Sequence, residues 1–381
     1  MRIVNIEAIP LWASFAEAFG TVDAVPVELR HPAFGMRRIP LAGQGCILVR
    51  IETDDGLVGI GEAMARPGPT ATASYINDIL APMLVGADPR QIEVHWTAMS
   101  EQLSFAPMAV SGVDIALWDL RGQITREPVY QVLGGPFRTE IDGYASPVPY
   151  LPDPDASAAK ATEFVADGFI AVKLKIGRGV EVDLEHVAVV RAAIGPRVKL
   201  LVDCNGAYTL AESVRLGRGL VRHDVFWLEE PVHRQFRDDL AEVRRRIDLP
   251  LASGEWLDSI WGFRDLLDAS GADILMPNVT RCGGLTGFRR IAEMAALRNV
   301  TIAPHGVGSG IGILAALHGC AAISNFTIYE YNQLFNPLRH GILADPLRFG
   351  DGKLQVPTTP GLGVSIDEAS LDRFGLAAPA V

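Results

Sequence analysis

Hydrophobic and polar positions change their spacing about one third of the way along the chain. In the first 130 residues, positions 1–12 alternate like a strand, and residues 46–62 predict a hairpin that turns at residues 54–56. Residues 110–125 place apolar side chains at helical spacing. This mixture predicts an α+β unit at residues 1–130.

From about residue 140, short apolar strands alternate with amphipathic helices. Eight strands are predicted, at residues 141–145, 171–176, 199–203, 225–229, 250–253, 273–276, 300–303 and 326–329. Parallel strands with helices between them predict an α/β fold, here a TIM-like barrel at residues 131–340. Residues 341–381 fall outside this rhythm and are expected to return to the amino-terminal unit.

Polar side chains occur where seven consecutive predicted strands end, which is where barrel enzymes carry their catalytic groups. In chain order they are Lys173, Lys175, Asp203, Asn205, Glu229, Glu230, Glu255, Asn278, His305 and Glu330. One such residue alone would be interpreted as a partner in a surface ion pair. Chance placement on all seven strands is implausible, so the set predicts an active site at one rim of the barrel.

Three carboxylates from adjacent strands predict a divalent-metal site. Asp203, Glu229 and Glu255 offer the oxygen ligands that Mg²⁺ prefers, whereas zinc would call for histidine or cysteine. Glu230 competes with Glu229 for the place on the fourth strand. Consecutive strand residues point to opposite faces, so only one of these two side chains can face the ion.

Lys173 and Lys175 lie two residues apart on a strand, so both face the barrel interior. Two ammonium groups about 6 Å apart, at an effective dielectric constant of about 20, repel by roughly 2.8 kcal/mol. The repulsion is expected to lower the pKa of one lysine towards neutral pH, which would make it a general base. His305 follows the seventh strand and is expected as a second acid or base.

The charge of the chain limits its partners. Its 381 residues carry 34 Lys and Arg against 45 Asp and Glu, a formal net charge of −11, so a clustered basic surface for nucleic acid is not expected. No stretch approaches about 18 consecutive apolar residues, and the first residues lack the apolar core of a signal peptide. These features predict a cytoplasmic protein that binds neither nucleic acid nor a membrane.

Longer motifs around these residues resemble the enolase superfamily and, within it, the mandelate racemase and muconate lactonizing enzyme group. The motifs are SGVDIALWDLRG (residues 111–122), VKLKIG (172–177), LLVDCNGAYT (200–209), WLEEP (227–231) and MPNVTRCGGLTG (276–287). The resemblance implies a (β/α)₇β barrel under an amino-terminal α+β capping domain, completed by the carboxyl-terminal segment. It also implies a homo-oligomer, and it makes residues 13–45 the loop that closes over the substrate and sets specificity.

The same resemblance assigns roles to the rim. It implies that Mg²⁺ on the three carboxylates binds the carboxylate of a small-molecule substrate and stabilises the enediolate formed when the α-proton leaves. Lys175 matches the base, and Lys173 matches its partner on the substrate carboxylate. Glu330 matches the group that hydrogen-bonds the enediolate, and Asn205 is a further expected substrate contact.

One position departs from the family pattern. Asn278 stands where the family usually places an aspartate that pairs with the histidine of the seventh strand. An amide can orient His305 but does not favour the imidazolium as a carboxylate does, so His305 is expected to be a weak base. A racemase needs comparable bases on both faces. We therefore expect β-elimination, with Lys175 removing the α-proton and His305 protonating the departing oxygen.

The region after residue 304 is similar to the branch of acid-sugar dehydratases and galactarolactone cycloisomerases. Arg281 stands where the muconate-lactonizing group would need a second catalytic lysine, and its guanidinium stays protonated. The expected reaction is thus dehydration of an acid sugar or cycloisomerisation of its lactone. Two alternatives stay open: a racemase or epimerase of a hydroxy or amino acid, and a barrel without catalytic activity.

Overall fold

The computed structural model describes residues 1–30, 41–65, 68–102 and 106–376. The part of the predicted specificity loop that holds His31, Arg37 and Arg38 lies outside these residues. Among the described residues, no helix is long and apolar enough to cross a membrane.

The amino-terminal unit contains a three-stranded antiparallel sheet. Strand β1 (Ile3–Ser14) pairs with β2 (Gly43–Thr53), which pairs with β3 (Val58–Met64) across the predicted turn. The helices that follow or interrupt these strands are α1 (Phe15–Phe19), α2 (Val27–Arg30), α3 (Pro69–Tyr75), α4 (Ala81–Leu84), α5 (Ile92–Gln102), α6 (Pro107–Thr125) and α7 (Val129–Val132). A 3₁₀ turn at Val22–Ala24 follows α1, and a π-helical turn at Ile76–Leu80 joins α3 to α4.

Helix α6 packs directly on the sheet, and glycines make the close approach possible. A side chain at Gly61 would clash with the backbone of Gly112 on α6, and a Cβ at Gly112 would lie 2.8 Å from Val49. The helix begins at Pro107, three residues before the predicted start, because proline suits the first helical turn, where its missing N–H costs no hydrogen bond.

The larger unit is a barrel of alternating strands and helices. Its strands within the described residues are β4 (Glu140–Val148), β5 (Ala171–Lys175), β6 (Lys199–Asp203), β7 (Val225–Glu229), β8 (Leu251–Ser253), β9 (Ile274–Leu275), β10 (Thr301–Ile302) and β11 (Tyr329–Asn332). The helices between them are α8 (Pro154–Ala166), α9 (Val180–Ile194), α10 (Leu210–Leu220), α11 (Arg237–Arg246), α12 (Ile260–Asp268), α13 (Gly284–Ala296) and α14 (Gly310–Ala322).

All pairings between neighbouring barrel strands are parallel, and the sheet closes on itself. Strand β11 pairs with β4, and Ile302 of β10 forms a single bridge with Phe326. The predicted (β/α)₇β barrel with an amino-terminal α+β cap is therefore confirmed. The prediction for the last strand was wrong in position: it begins at Tyr329, because the half-buried Phe326 makes only that single bridge and the residues up to Ile328 join no strand ladder.

The inward face of the barrel changes from apolar to charged along the strands. Its floor is one buried cluster, formed by Tyr144, Ala171, Leu201, Trp227, Ala252, Ile274, Met276, Ala303 and Ile328. Two residues further along the strand, the same face carries Lys173 after Ala171, Asp203 after Leu201 and Glu229 after Trp227. The strand period of two therefore delivers the charged groups to the carboxyl-terminal mouth of a closed, packed barrel.

The carboxyl-terminal segment contacts both units. It contains α15 (Leu338–Gly341), the hairpin of β12 (Phe349–Gly350) and β13 (Lys353–Gln355), and α16 (Glu368–Phe374). Strand β13 pairs antiparallel with β4, whereas the backbone N–H of Leu376 donates to Pro10 of β1 at 2.9 Å. The domain limits at residues 130 and 340 stay predictions.

Candidate active site

Three carboxylates meet at the mouth of the barrel. In the strand register Lys175 lies beside Asp203, and Asp203 lies beside Glu229, so the three side chains occupy one level of the sheet. Glu255 follows β8 after a left-handed glycine, Gly254. One carboxylate oxygen from each of Asp203, Glu229 and Glu255 lies within 4.8 Å of the others, and all three residues are buried.

The choice between Glu229 and Glu230 is resolved by the geometry. Glu229 ends β7 and joins the carboxylate group, whereas Glu230 begins the following loop at a φ of +39° and is outside that group. Glu230 is nevertheless buried, and its Oε1 has no hydrogen-bond partner among the described residues. Burial and the nearby Glu255 and Asp203 raise the pKa of Glu230 well above its usual value.

The composition of the carboxylate group fits a hard divalent cation. All three donors are carboxylate oxygens, as Mg²⁺ prefers, and no histidine or cysteine belongs to the group. Burial and repulsion from Asp203 raise the pKa of Glu229 well above its usual value. Crowded, buried negative charge of this kind is relieved when a cation binds, so Asp203, Glu229 and Glu255 are suited to hold one.

Lys173 is fully buried and lies among the carboxylates. Its Nζ is 2.8 Å and 3.0 Å from the two oxygens of Glu229, 3.1 Å from Oε1 of Glu330 and 3.5 Å from Oδ2 of Asp203. Burial opposes its charge, but Glu229 and Glu330 raise the pKa of Lys173 well above its usual value. Lys173 is therefore a fixed positive charge below the mouth.

Lys175 is nearer to the opening, with 16% of its side chain exposed, and its ammonium group donates to Asp203. Burial and Lys173 lower the pKa of Lys175, but Asp203 outweighs them and raises it. The prediction that repulsion between the lysines brings one of them towards neutrality was wrong for the protein without an ion. The carboxylates that surround both lysines outweigh the repulsion between the two ammonium groups.

His305 lies across the mouth from the lysines. Its Nε2 is 3.4 Å from Oε2 of Glu255 and 3.9 Å from Oε2 of Glu330. On the other side of the ring, the Nδ2 of Asn278 lies 3.2 Å from Nδ1 of His305. The predicted pair of Asn278 and His305 is thus in hydrogen-bond contact.

The orientation of the Asn278 amide determines the tautomer of His305. The backbone N–H and the hydroxyl of Thr280 donate to Oδ1 of Asn278 at 2.9 Å and 2.7 Å, so this atom is the carbonyl oxygen. Nδ2 is then the NH₂ group, which donates to Val307 at 3.0 Å and to Nδ1 of His305. An Nδ1 that accepts carries no proton, so the proton of the neutral ring is on Nε2 and faces the mouth.

Glu330 and Asn205 complete the rim. Burial would raise the pKa of Glu330, but Lys173 and His305 hold it well below its usual value. Asn205 donates from its backbone to Asp203 at 2.8 Å and from its side chain to Glu255 at 3.2 Å. Asn205 therefore links two of the carboxylates in the structure, and its contact with a substrate stays a prediction.

Part of the predicted specificity loop is helical and packs beside the mouth. Phe15, Val25 and Leu29 form a small buried cluster that Phe19 and Leu334 contact, and the ring of Phe19 lies 5.2 Å from that of Phe335. Leu334 and Phe335 follow β11, which carries Glu330. The segment shows no period in the sequence because α1 and α2 have five and four residues, too few for a helical pattern.

Two residues at the site were not among the predicted ones. Ser146 is a buried side chain on β4 close to Glu330, and its hydroxyl has no full hydrogen-bond partner among the described residues. Its place near the end of the first barrel strand is a signal in the sequence, because polar groups at the ends of the other strands belong to the same rim. Glu62 lies on β3 of the cap and contacts the loop after His305, a relation that spans 247 residues of sequence.

Comparisons with known proteins agree with this geometry. Residues 156–370 match the family model "Enolase C-terminal domain-like", and residues 20–134 match "Mandelate racemase / muconate lactonizing enzyme, N-terminal domain". The D-galactarolactone cycloisomerase of Agrobacterium fabrum is 36% identical over 352 residues, which cover 87% of this chain and 92% of that relative. The arabinonate dehydratase of Saccharolobus solfataricus is 31% identical over 337 residues, covering 86% and 90%.

A solved structure supplies a metal-bound comparison. The racemase from Streptomyces coelicolor A3(2) with bound magnesium superposes with a TM-score of 0.84 at 28% sequence identity. The match covers 98% of this chain and 100% of that chain.

Proposed function

We propose that this chain, which belongs to the enolase superfamily, removes the α-proton of an acid sugar or its lactone and expels the β-oxygen. It would thus act as a Mg²⁺-dependent acid-sugar dehydratase or sugar-lactone cycloisomerase. The observation that carries the proposal is the inequality of the two sides of the mouth. One side presents a lysine among carboxylates, and the other a histidine that holds its proton on the inward nitrogen.

Asp203, Glu229 and Glu255 are the proposed metal ligands. When bound, Mg²⁺ would place positive charge beside the substrate carboxylate. It would also compete with Lys175 for the carboxylate of Asp203, which now keeps Lys175 protonated. Isothermal titration with Mg²⁺ tests the assignment. We expect one site, lost in Glu255→Gln and retained in Glu293→Gln, a control on the exposed surface of α13. Equal affinity in both variants would contradict the ligand set.

Lys175 is the proposed base, and Lys173 a fixed partner. Lys175 reaches the opening of the mouth, whereas Lys173 is enclosed and held by Glu229 and Glu330. Lys173 is suited to neutralise a substrate carboxylate together with the proposed metal, which acidifies the α-proton. Lys175 then accepts that proton at Nζ once it is neutral.

His305 is the proposed acid. With the proton on Nε2, it can donate that proton to the β-oxygen as the C–O bond breaks, and the oxygen leaves as water or, from a lactone, in the new carboxyl group. The imidazolate left behind is stabilised by the N–H that Asn278 donates to Nδ1 and regains a proton from solvent. The loss of that proton needs no carboxylate partner on Nδ1, and Asn278 supplies none. A racemase would instead need His305 to take a proton from carbon, which a carboxylate at position 278 would favour.

The experiment is a screen of acid sugars and their lactones with Mg²⁺ in D₂O. We expect loss of the β-oxygen and a 2-keto acid or a ring-opened enol product. Recovered substrate with deuterium at Cα and inverted configuration, without loss of oxygen, would favour a racemase, the second candidate that the magnesium-bound racemase neighbour supports. Homo-oligomeric assembly and a cytoplasmic location stay predictions.

A further inference from the structure

Glu62 reaches from the cap into the barrel. It lies on β3 and is fully buried, and in the described part of the chain its carboxylate accepts hydrogen bonds only from the region after His305. The backbone N–H of Ser309 donates to its two oxygens at 3.0 Å and 3.2 Å, and that of Gly312 donates at 2.7 Å. The Ser309 hydroxyl also donates to Glu62. A carboxylate from one unit thus binds the amino-terminal turn of α14 in the other.

The glycines of this loop leave room for that carboxylate. A Cβ at Gly308 would lie 2.8 Å from Oε1 of Glu62, and a Cβ at Gly312 would lie 2.9 Å from Oε2. A side chain at Gly306 would clash with the backbone of Glu330. The glycines at 306, 308 and 312 are therefore explained by packing: they leave room for the carboxylate of Glu62 and for the last barrel strand.

The same end of β3 also supports Asn278. The backbone N–H of Met64 donates to the carbonyl of Thr280 at 3.0 Å, and Thr280 donates to the Asn278 amide that orients His305. Asn278 also bonds Val307, between His305 and the residues bound by Glu62. The cap therefore holds His305 from two directions, through Asn278 and through the turn at Ser309.

We infer that Glu62 is a positioning residue for His305: its carboxylate holds the loop at residues 305–309 so that Nε2 faces the mouth. The inference rests on the proposed function, since it concerns the group assigned to protonate the departing oxygen. Glu62 touches none of the reacting groups itself. Its loss should therefore slow the departure of the β-oxygen and leave proton removal by Lys175 in place.

The test compares Glu62→Gln with Asp119→Asn, a matched control within the cap. Asp119 is also buried and accepts from the backbone N–H groups of Ile60 and Leu362, and none of its hydrogen bonds among the described residues reaches the loop after His305. Both variants exchange a buried carboxylate for an amide. In D₂O with Mg²⁺ and a turned-over acid sugar, two quantities are measured: product formed and deuterium at Cα of recovered substrate.

For Glu62→Gln we expect product formation to fall by about 10- to 100-fold, the usual effect of losing an outer supporting contact. Deuterium in recovered substrate should rise, because substrate deprotonated by Lys175 returns when the oxygen leaves slowly. Hydrogen exchange of the Ser309 and Gly312 amides should also quicken. Asp119→Asn should keep the wild-type ratio of the two quantities.

Ser309→Ala keeps the inference testable if Glu62→Gln does not fold. It removes the hydroxyl bond to Glu62 and the cap bond that the same hydroxyl accepts from the backbone N–H of Ile311 at 3.2 Å, and it keeps the bonds from the backbone N–H groups of Ser309 and Gly312 to Glu62. It should therefore shift the same ratio in the same direction by less. A wild-type ratio in Glu62→Gln or Ser309→Ala, or an equal fall of product and deuterium, would overturn the positioning role. A wild-type protein that eliminates oxygen from no acid sugar would instead contradict the proposed function, and amide exchange would still show whether Glu62 holds the loop.

Discussion

The two sides of the barrel mouth are built in different ways. The lysine side, Lys173 and Lys175 with Asp203 and Glu229, stands on three strands in direct register, and its properties follow from charge balance. The histidine side, Asn278 and the loop at residues 305–309, stands on loops and depends on hydrogen bonds, among them those to Glu62 and Met64 of the cap. In the proposed reaction, the strong base therefore stands on strands, and the group with an oriented proton stands on loops.

The largest expected effect is on the lysine side. Lys175→Ala should reduce both product formation and α-deuterium exchange by about 10³-fold or more, because both begin with proton removal. Lys199→Ala, an exposed lysine at the start of β6, should change neither. Steady-state rates and mass spectrometry of recovered substrate measure the two effects. Exchange that persists in Lys175→Ala would move the base to the histidine side and reverse the comparison.

A smaller effect on the reaction is expected when a carboxylate is introduced next to His305 on the histidine side. Asn278→Asp gives His305 a carboxylate on Nδ1, which favours the imidazolium and makes Nε2 a better proton acceptor. Deuterium incorporation with inverted configuration should rise about tenfold, the rate effect of about 1.4 kcal/mol. Asn299→Asp, in the exposed turn after α13, is the control. If inversion stays at the wild-type level, position 278 does not separate elimination from racemisation.

The smallest expected effect on turnover comes from a second cap carboxylate. Asp114 on α6 accepts from the N–H of Thr286 at 2.9 Å and from its hydroxyl at 2.6 Å, at the start of α13 rather than α14. Burial raises the pKa of Asp114 from 3.8 to about 7. Between those values the folded state holds more protons than the unfolded state, so stability falls as pH rises from about 4 to about 7.

Asp114→Asn can accept from the backbone N–H of Thr286 through its oxygen and donate from its NH₂ group to the Thr286 hydroxyl, and it removes the titration. Relative to this variant, the wild-type free energy of unfolding should fall by up to about 4 kcal/mol between pH 4 and pH 7, as urea unfolding would measure. The ratio of product to α-deuterium should stay unchanged, unlike that of Glu62→Gln. Parallel stability curves would show that Asp114 does not titrate in this range.

The lysine side could be predicted from the sequence and the histidine side only in part. Strands β6 and β7 lie where their apolar runs predict them, and their last residues are Asp203 and Glu229. The alternation of side chains along a strand is visible within a few residues of sequence, so the positions of these carboxylates can be predicted locally. The balance of charge around Lys175 could not be predicted, because it depends on which carboxylates meet it in space.

The support of His305 depends on contacts between distant parts of the chain. Glu62 lies in an ordinary strand pattern of the cap, and its partner Ser309 lies 247 residues later. The glycines after His305 indicate a tight backbone, but the group that fills the space is visible only in the fold. The sequence shows that Asn278 stands where the family usually has an aspartate. The tautomer that Asn278 imposes on His305 can be assigned only from the position of Thr280, which orients the amide.

The assignment of the base to Lys175 and of the acid to His305 is tested most directly by His305→Asn in D₂O, with the product and the recovered substrate analysed by NMR. We predict that product formation falls by about 100-fold or more while the recovered substrate gains deuterium at Cα with retained configuration, since Lys175 still works. Loss of deuterium exchange together with product, or undiminished loss of the β-oxygen, would contradict the assignment of base and acid to opposite sides.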